Sequence, residues 1–216
     1  MPGAMFAAGD SVTLRTIEED DLEFLAAGRN DPEIRRPLTV NRPSNVEQNR
    51  GFFEDAISSE EDVNLLICRT DGEDSASDAD AEDADGGEST NDDGADSESA
   101  DGDAEVGDGA TPVGMLSLFD EDDIAGTATL AYWVLPEHQG NGFCTEATGL
   151  LCEYAFAERR LNKLRADALA TNDGSQRVLE KLGFVEEGVL REEKFVYGEY
   201  VDVYRYGLLA DDWEGV

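Results

Sequence analysis

Residues 132–144 have the sequence YWVLPEHQGNGFC, which contains the feature that decides the fold. The apolar pattern predicts a strand that ends near Leu135 and a helix that begins near Phe143. The connection between them contains Gly140 and Gly142. Backbone N–H groups at such a helix start converge on one point, and the helix dipole favours an anion there. The sequence therefore predicts a phosphate-binding turn between a strand and a helix.

Two common phosphate-binding motifs are excluded at this turn. A P-loop requires Lys followed by Ser or Thr after the glycines, whereas Phe143 and Cys144 follow Gly142. A dinucleotide-binding fold requires a third glycine together with an acidic residue on the next strand, and this combination is missing. A different phosphate-containing ligand is needed.

Strands and helices are predicted on both sides of the turn. The hydrophobic periodicity indicates helices at residues 18–30, 143–159 and 175–182, and a further helix that starts within residues 41–49 and carries Phe52, Phe53, Ala56 and Ile57. It indicates strands at residues 12–16, 63–69, 112–119, 128–135, 163–170, 184–197 and 200–208. This order predicts one α/β domain at residues 12–209 with a sheet of mixed direction.

Residues 70–110 interrupt this pattern. They consist almost wholly of Asp, Glu, Ala, Gly and Ser, and the stretch 71–108 has 17 acidic residues and no Lys or Arg. Such a composition cannot bury enough apolar area to offset the entropy of ordering, so a long acidic disordered insertion is predicted. A loop that binds cations or a partner protein is the alternative interpretation.

The composition excludes several classes of partner and location. A formal net charge of -35 disfavours nucleic acid and anionic membranes, and acidity outside the insertion favours a halophilic protein. Three cysteines without metal-ligand spacing predict no metal site. The chain begins without a signal-peptide pattern and has no apolar run of spanning length, so a soluble cytoplasmic protein is expected.

The residues around the glycines resemble the GNAT acetyltransferase family. Residues 132–143 are similar to the strand and pyrophosphate loop of that family, whose signature is Gln/Arg-x-x-Gly-x-Gly/Ala, except that Cys144 replaces Gly or Ala. The sequence Thr-Glu-Ala at residues 145–147 and the stretch 171–184, TNDGSQRVLEKLGF, resemble the Rim-type branch, which acetylates the N-termini of ribosomal proteins. Together with the acidic composition, the resemblance favours a haloarchaeal source.

The resemblance implies a GNAT fold with acetyl-CoA as cosubstrate. A backbone N–H at Val134 or Leu135 would polarise the thioester carbonyl, and Asn172 would hold the pantetheine amides. The residues implied to bind the pyrophosphate are Gln139, Gly140, Asn141, Gly142, Phe143, Cys144 and Thr145.

The resemblance implies the general acid and the general base of the reaction less directly. Many relatives have a Glu on the strand and a Tyr in the second helix, where this chain has Thr129 and Leu179. Ser175 is the candidate for contact with, or protonation of, the thiol, and Glu192 or Glu193 the candidate that accepts the amine proton through water. Asn172 and Ser175 are also typical helix-capping residues, and the two roles are compatible.

Three further residues have plain structural interpretations. Cys144 is interpreted as a small residue tolerated in the loop rather than as a nucleophile. Glu146 and Glu153 are expected to face solvent or to complement the helix dipole, without a chemical role.

The predicted function is transfer of acetyl to a primary amine, most directly the N-terminal amine of a ribosomal or other protein, by a monomer or homodimer. The alternatives are a small-molecule amine acetyltransferase, a catalytically silent acyl-CoA sensor, and an acidic interaction protein that uses the insertion.

Overall fold

The structure, a computed structural model, describes residues 2–57, 62–70 and 110–215. The strands are β1 (Met5–Ala8), β2 (Val12–Thr16), β3 (Val63–Arg69), β4 (Thr111–Asp122), β5 (Thr127–Val134), β6 (Lys163–Leu169), β7 (Val185–Val196) and β8 (Glu199–Leu209). The α-helices are α1 (Leu22–Asn30), α2 (Pro32–Arg35), α3 (Val46–Phe52), α4 (Phe143–Ala157) and α5 (Asp173–Lys181). In this part of the chain, no helix is both long and apolar enough to cross a membrane.

The strands form one sheet in the order β1-β2-β3-β4-β5-β6-β8-β7. Every neighbouring pair is antiparallel except β5 and β6, which are parallel. A parallel pair requires a crossover connection, and α4 supplies it. The predicted α/β class with a sheet of mixed, mostly antiparallel direction is confirmed.

Helices cover both faces of the sheet. On one face, α4 and α5 bury Ala147, Leu151 and Leu179 against alternate strand residues. On the other face, Leu22, Leu25 and Ile34 from α1 and α2 pack against residues that include Leu66 and Trp133. Consecutive strand side chains point to opposite faces, so the central strands are apolar on both sides.

Two elements were missing from the sequence prediction. Strand β1 is short and mostly exposed, and its four residues Met-Phe-Ala-Ala give no alternating pattern. Helix α2 has only four residues, and it starts at Pro32 with the Asp31 side chain accepting from Glu33 N. Helix α3 begins at Val46, where Asn45 and Gln48 form a capping box. Short elements of this kind are set by caps rather than by hydrophobic periodicity.

The acidic insertion separates two paired strands. Arg69 of β3 is opposite Thr111 of β4, so the chain leaves and re-enters the described structure at the same end of a β-hairpin. Residues 71–109, on which the prediction of disorder rests, lie outside the described residues.

Replacing residues 71–109 by Asn-Gly is therefore expected to preserve the fold. Thr70, the new pair and Ala110 would form a four-residue loop, a length that β-hairpins use. A shorter loop lowers the entropy cost of closure by up to about 2–3 kcal/mol, so the midpoint of thermal unfolding should not fall. Circular dichroism would measure this midpoint and calorimetry the affinity for acetyl-CoA. A variant with a scrambled insertion is the control, and a loss in the deletion variant alone would show that the insertion makes stabilising or binding contacts.

Candidate active site

Strands β5 and β6 are paired only at one end. Thr127–Thr129 lie in register with Lys163–Arg165, and the rest of β6 pairs with β8 alone. Beyond this short ladder, a cleft of about 440 Å³ lies between the two strands. Its walls include Leu38 from the α1–α3 face and Val178 from the α4–α5 face, so the cleft joins the two faces of the sheet.

The open edge of β5 presents main-chain groups to this cleft. Val134 is opposite Gly114, and Leu135 N–H donates to Val113 O at 2.8 Å. These contacts make Val134 and Gly114 a non-hydrogen-bonded pair, so the N–H and C=O of Val134 point away from β4. Tyr132, two residues earlier, has the same orientation. An extended ligand could therefore pair with β5 as an additional strand.

The turn after β5 exposes a row of amides. Gly140 and Gly142 have φ values of +82° and +85°, and a Cβ at either position would meet no atom within 4 Å. No acceptor within the described residues is bonded to the backbone N–H groups of residues 140–145, and Gly142 caps α4 without a side chain. Unpaired amides at the positive end of a 15-residue helix form an anion site.

Two side chains brace this turn. Gln139 Nε2 donates to Val134 O at 3.1 Å, and Asn141 Nδ2 donates to His138 O at 3.1 Å. The Gln139 bond ties the turn to the last residue of β5. The bond therefore fixes the position of the glycine turn relative to the open edge of β5.

Helix α5 forms the opposite wall of the cleft. Its cap residue, Asn172, accepts from Ser175 N at 3.1 Å through Oδ1. Ser175 Oγ lies 3.0 Å from Tyr132 Oη, so a pair of hydroxyl groups joins β5 and α5. Burial raises the pKa of Tyr132, which keeps the phenol protonated.

The sequence comparison identifies this arrangement. Residues 11–185 match the acetyltransferase (GNAT) domain family. The chain belongs to the GNAT acetyltransferase family.

Relatives in this family differ in their acceptors. The chain is 39% identical over 102 residues to the putative ribosomal N-acetyltransferase YdaF of Bacillus subtilis, a match that covers 47% of this chain and 56% of that protein. It is 34% identical over 101 residues to a spermidine N(1)-acetyltransferase of Vibrio cholerae, covering 47% of this chain and 58% of the relative. The matched region thus spans little more than half the length of these relatives.

Solved structures support the fold. The crystal structure of a spermidine N-acetyltransferase from Vibrio cholerae in complex with CoA and spermine superposes with a TM-score of 0.72. The alignment covers 94% of this chain and 98% of that chain, at 22% sequence identity. At this identity the likeness establishes the GNAT fold and not the acceptor.

The GNAT cleft contains most of the residues singled out from the sequence. Ser175 and Asn172 line it on α5, and Val134 lines it on β5. The loop residues that line it are Gln139, Gly140, Gly142, Phe143, Cys144 and Thr145.

Some predicted site residues lie elsewhere. The predicted oxyanion donor at Leu135 is wrong, because its N–H is already bonded to Val113 O. Asn141 is exposed and braces the loop instead of lining the cleft. Glu192 and Glu193 are exposed on β7, which β8 separates from β6, and they do not line the cleft. A role for these two carboxylates stays a prediction without geometric support.

Two other carboxylates of the described residues line the cleft. Asp167 lines the cleft, but both of its oxygens accept from Arg205 at 2.9 Å. Glu33, at the start of α2, also lines the cleft, and its carboxylate has no ion pair among the described residues. Glu33 is therefore the better placed candidate to accept a proton. No local sequence motif marks Glu33, because α2 is far from the glycine loop in the sequence.

The environment of Cys144 disfavours nucleophilic catalysis. Burial raises the pKa of its thiol to about 12, and the hydrogen bond with Thr148 only partly opposes this shift. The thiol is protonated at neutral pH and a poor nucleophile. Leu179 is fully buried in the core and Thr129 belongs to the parallel ladder, so neither position projects a helper group into the cleft.

Glu146 and Glu153 both make specific contacts. Glu146, in the first turn of α4, accepts from Ser11 N at 2.9 Å and from the Ser11 hydroxyl. Glu153 accepts from Trp213 Nε1 at 2.8 Å. Glu153 is exposed and Glu146 lies in the first turn of α4, as expected, and Glu146 in addition anchors the start of α4 to the turn between β1 and β2.

Proposed function

We propose that the protein transfers an acetyl group from acetyl-CoA to the N-terminal amine of a protein. The observation that carries this proposal is the continuity between the bare amides of residues 140–145 and the open edge of β5. A diphosphate bound at these amides would direct an attached pantetheine arm along the open edge of β5, towards Ser175.

The walls of the cleft suit each part of acetyl-CoA. The loop amides would bind the diphosphate, and Arg177 and Lys181 line the cleft on α5, where they would offset phosphate charge. A pantetheine amide would donate to the Val134 C=O in the manner of a strand, with Asn172 on the opposite wall.

The chemistry follows from the groups at the end of this path. The Val134 N–H would donate to the thioester oxygen and stabilise the negative charge of the tetrahedral intermediate. The amine nitrogen forms the C–N bond directly, and the C–S bond then breaks. Ser175 would donate to the departing thiolate, while the proton lost by the amine would pass to Glu33 through water.

An α-amino acceptor suits this limited set of acid and base groups. An α-amino group has a pKa of about 8, against about 10.4 for Lys, so a larger fraction is unprotonated at neutral pH. The similarity to a putative ribosomal N-acetyltransferase supports the same choice.

A small-molecule amine is the second candidate. Similarity to a spermidine N(1)-acetyltransferase favours it, and the unpaired Glu33 carboxylate in the cleft would attract a cationic amine. A silent acyl-CoA sensor is the remaining alternative, motivated by the missing strand Glu and helix Tyr.

Release of free thiol from acetyl-CoA separates these three functions. The assay would compare short peptides with free N-termini, the same peptides with blocked N-termini, and spermidine. Turnover with free N-termini only supports the proposal, and turnover with spermidine only supports the second candidate. Calorimetric binding of acetyl-CoA without turnover on any amine would support the sensor.

A Glu33→Gln variant is expected to lower kcat/KM for the peptide by about tenfold to 100-fold, at or below the lower limit of about 100-fold for a general base, because the proton passes through water. The affinity for acetyl-CoA should not change, because Glu33 belongs to the α1–α3 face and not to the loop or α5, which would bind the cosubstrate. Steady-state kinetics and calorimetry measure the two quantities. Glu23→Gln on the neighbouring helix α1 is the control for loss of one negative charge, and an equal effect in both variants would contradict a direct role for Glu33.

The working environment also stays a proposal. The composition supports a high-salt cytoplasm, since acidity extends beyond the insertion into the folded part. A monomer or homodimer remains the predicted assembly.

A further inference from the structure

Residues 29–50 have a local charge opposite to that of the chain. This segment contains five Arg and three acidic residues, whereas the whole chain has a net charge of -35. It includes the end of α1, all of α2 and most of α3. The basic residues are Arg29, Arg35, Arg36, Arg42 and Arg50.

A second cavity, of about 460 Å³, lies within this segment. Arg29 and Arg42 line it from opposite ends of the connection between α1 and α3. The Arg29 guanidinium lies 4.5 Å from the centroid of the Phe52 ring, and its Nε is buried without a hydrogen-bond partner. Burial lowers the pKa of Arg29, and no carboxylate in the described part of the chain pairs with it. A desolvated guanidinium of this kind is a strong donor for an incoming carboxylate.

The cavity also has an unused acceptor. Asn49 is 1% exposed and donates through Nδ2 to Asn45 O at 2.9 Å and to Ser44 Oγ at 3.2 Å. Its Oδ1 is buried without a partner. A simple anion would satisfy Arg29 but not this oxygen. A peptide satisfies both, because it offers a backbone N–H beside an acidic side chain.

The wall of the cavity is held in place before any ligand binds. Asn30 Nδ2 donates to Ser44 O at 2.6 Å and to Ala26 O at 2.8 Å, and Ser44 N donates to Asn30 Oδ1 at 3.0 Å. The two bonds to Ser44 fix the connection that carries Arg42 against α1, and the bond to Ala26 holds the Asn30 side chain in place. Little ordering is then required when a ligand binds.

The cavity adjoins the cleft on the α1–α3 face of the sheet, where the acceptor would enter. Leu38 lines the cleft and Val40 lines the cavity, and these residues are two positions apart. An extended peptide spans about 3.3–3.6 Å per residue. A peptide whose amine is in the cleft would reach the cavity with a side chain roughly two to five residues further on.

We infer that this cavity binds an acidic side chain of the acceptor, so the substrates are proteins with carboxylates close behind the N-terminal amine. The inference rests on the proposed acetylation of N-termini and specifies its substrate class. Arg29 and Arg42 bind the carboxylate, and Asn49 Oδ1 accepts a peptide N–H. A polyamine would place a second cation beside these arginines and be repelled.

Three peptides with the same first two residues test this inference. They continue with acidic residues, with the Asn and Gln amides of the same shape, or with lysines. The assay measures kcat/KM with the full chain, at the lowest salt that keeps it folded by circular dichroism. We expect the acidic peptide to exceed its amide counterpart by about tenfold, the discrimination typical of one charged hydrogen bond.

Charge-removing variants link this preference to the cavity. Arg42→Gln and Arg29→Gln are each expected to reduce the ratio of kcat/KM for the acidic peptide to that for its amide counterpart to about threefold or less. Arg160→Gln, at the exposed connection between α4 and β6, is the matched control and should keep the full preference. Equal rates for acidic and amide peptides, or an undiminished preference in both cavity variants, would overturn the inference. Turnover of spermidine but of no peptide would instead reject the proposed function itself.

Discussion

A Gly142→Glu variant is expected to lose about 100-fold or more of its affinity for acetyl-CoA. Gly142 has a φ of +85° and caps α4 beside the row of unpaired amides. Any other residue disfavours this φ by roughly 1–3 kcal/mol, so the free loop relaxes to another conformation and binding must restore the strained turn. A carboxylate also repels the diphosphate. About 2.8 kcal/mol corresponds to 100-fold in the dissociation constant, which these two effects together reach. Isothermal titration calorimetry measures the dissociation constant for acetyl-CoA directly.

Matched variants separate the two effects. Gly142→Ala introduces the strain without the charge and should lose about tenfold in affinity. Gly198→Glu is the control, because Gly198 has a φ of +98° and, like Gly142, no atom within 4 Å of a Cβ position. Gly198 lies in the β7–β8 turn, so its substitution should leave the affinity unchanged. Unimpaired binding by Gly142→Glu would remove the loop from the cosubstrate site.

The ionic strength of this measurement matters because the protein is so acidic. At about 1 M salt the screening length is about 3 Å, so one extra charge affects only groups that it contacts. A loss that persists in such a buffer and exceeds the loss of Gly142→Ala reports contact of the added carboxylate with the diphosphate. A loss seen only in dilute buffer would report the long-range field of the protein.

The sequence predicted the elements whose signals are local. The loop at residues 139–145 and the helix after it follow from consecutive residues, since glycine conformation and helix polarity act over one turn. The core helices and central strands follow from hydrophobic periodicity for the same reason. The structure confirmed these elements to within a few residues at most boundaries.

Other features depend on which strands become neighbours. The sequence does not reveal that β8 lies between β7 and β6, which keeps Glu192 and Glu193 out of the cleft. Tyr132 and Ser175 are 43 residues apart, and only the divergence of β5 from β6 brings their hydroxyls together. Glu33 reaches the cleft through the short helix α2, which periodicity does not detect, and the cavity beside Arg29 forms only when the α1–α3 connection folds against α1. The glycine loop and Ser175 were therefore predictable from consecutive residues, whereas the candidate base Glu33 and the cavity beside Arg29 were not.

A Ser175→Ala variant is expected to lower kcat by about 100-fold while the affinity for acetyl-CoA stays within about twofold, since a positioned proton donor contributes 100-fold or more. The departing thiolate needs a hydrogen-bond donor, and Ser175 is the α5 hydroxyl held at the cleft by Tyr132. Tyr132→Phe should lower kcat less, by about tenfold, because it removes only the group that orients Ser175. Single-turnover kinetics and calorimetry separate the chemical step from binding.

The ionisation of Tyr132 predicts how this pair responds to pH. Burial disfavours the charged phenolate, so the pKa of Tyr132 is raised and the neutral hydroxyl persists beyond the usual pKa of about 10. The kcat of the wild-type protein should then show no alkaline loss near pH 10 from this group.

Ser117→Ala is the matched control for Ser175→Ala, because Ser117 Oγ also donates to a side chain, Asn64 Oδ1, at 2.7 Å, but lies outside the cleft. If Ser175→Ala and Ser117→Ala had the same kcat, the thiolate would have to leave without help from α5.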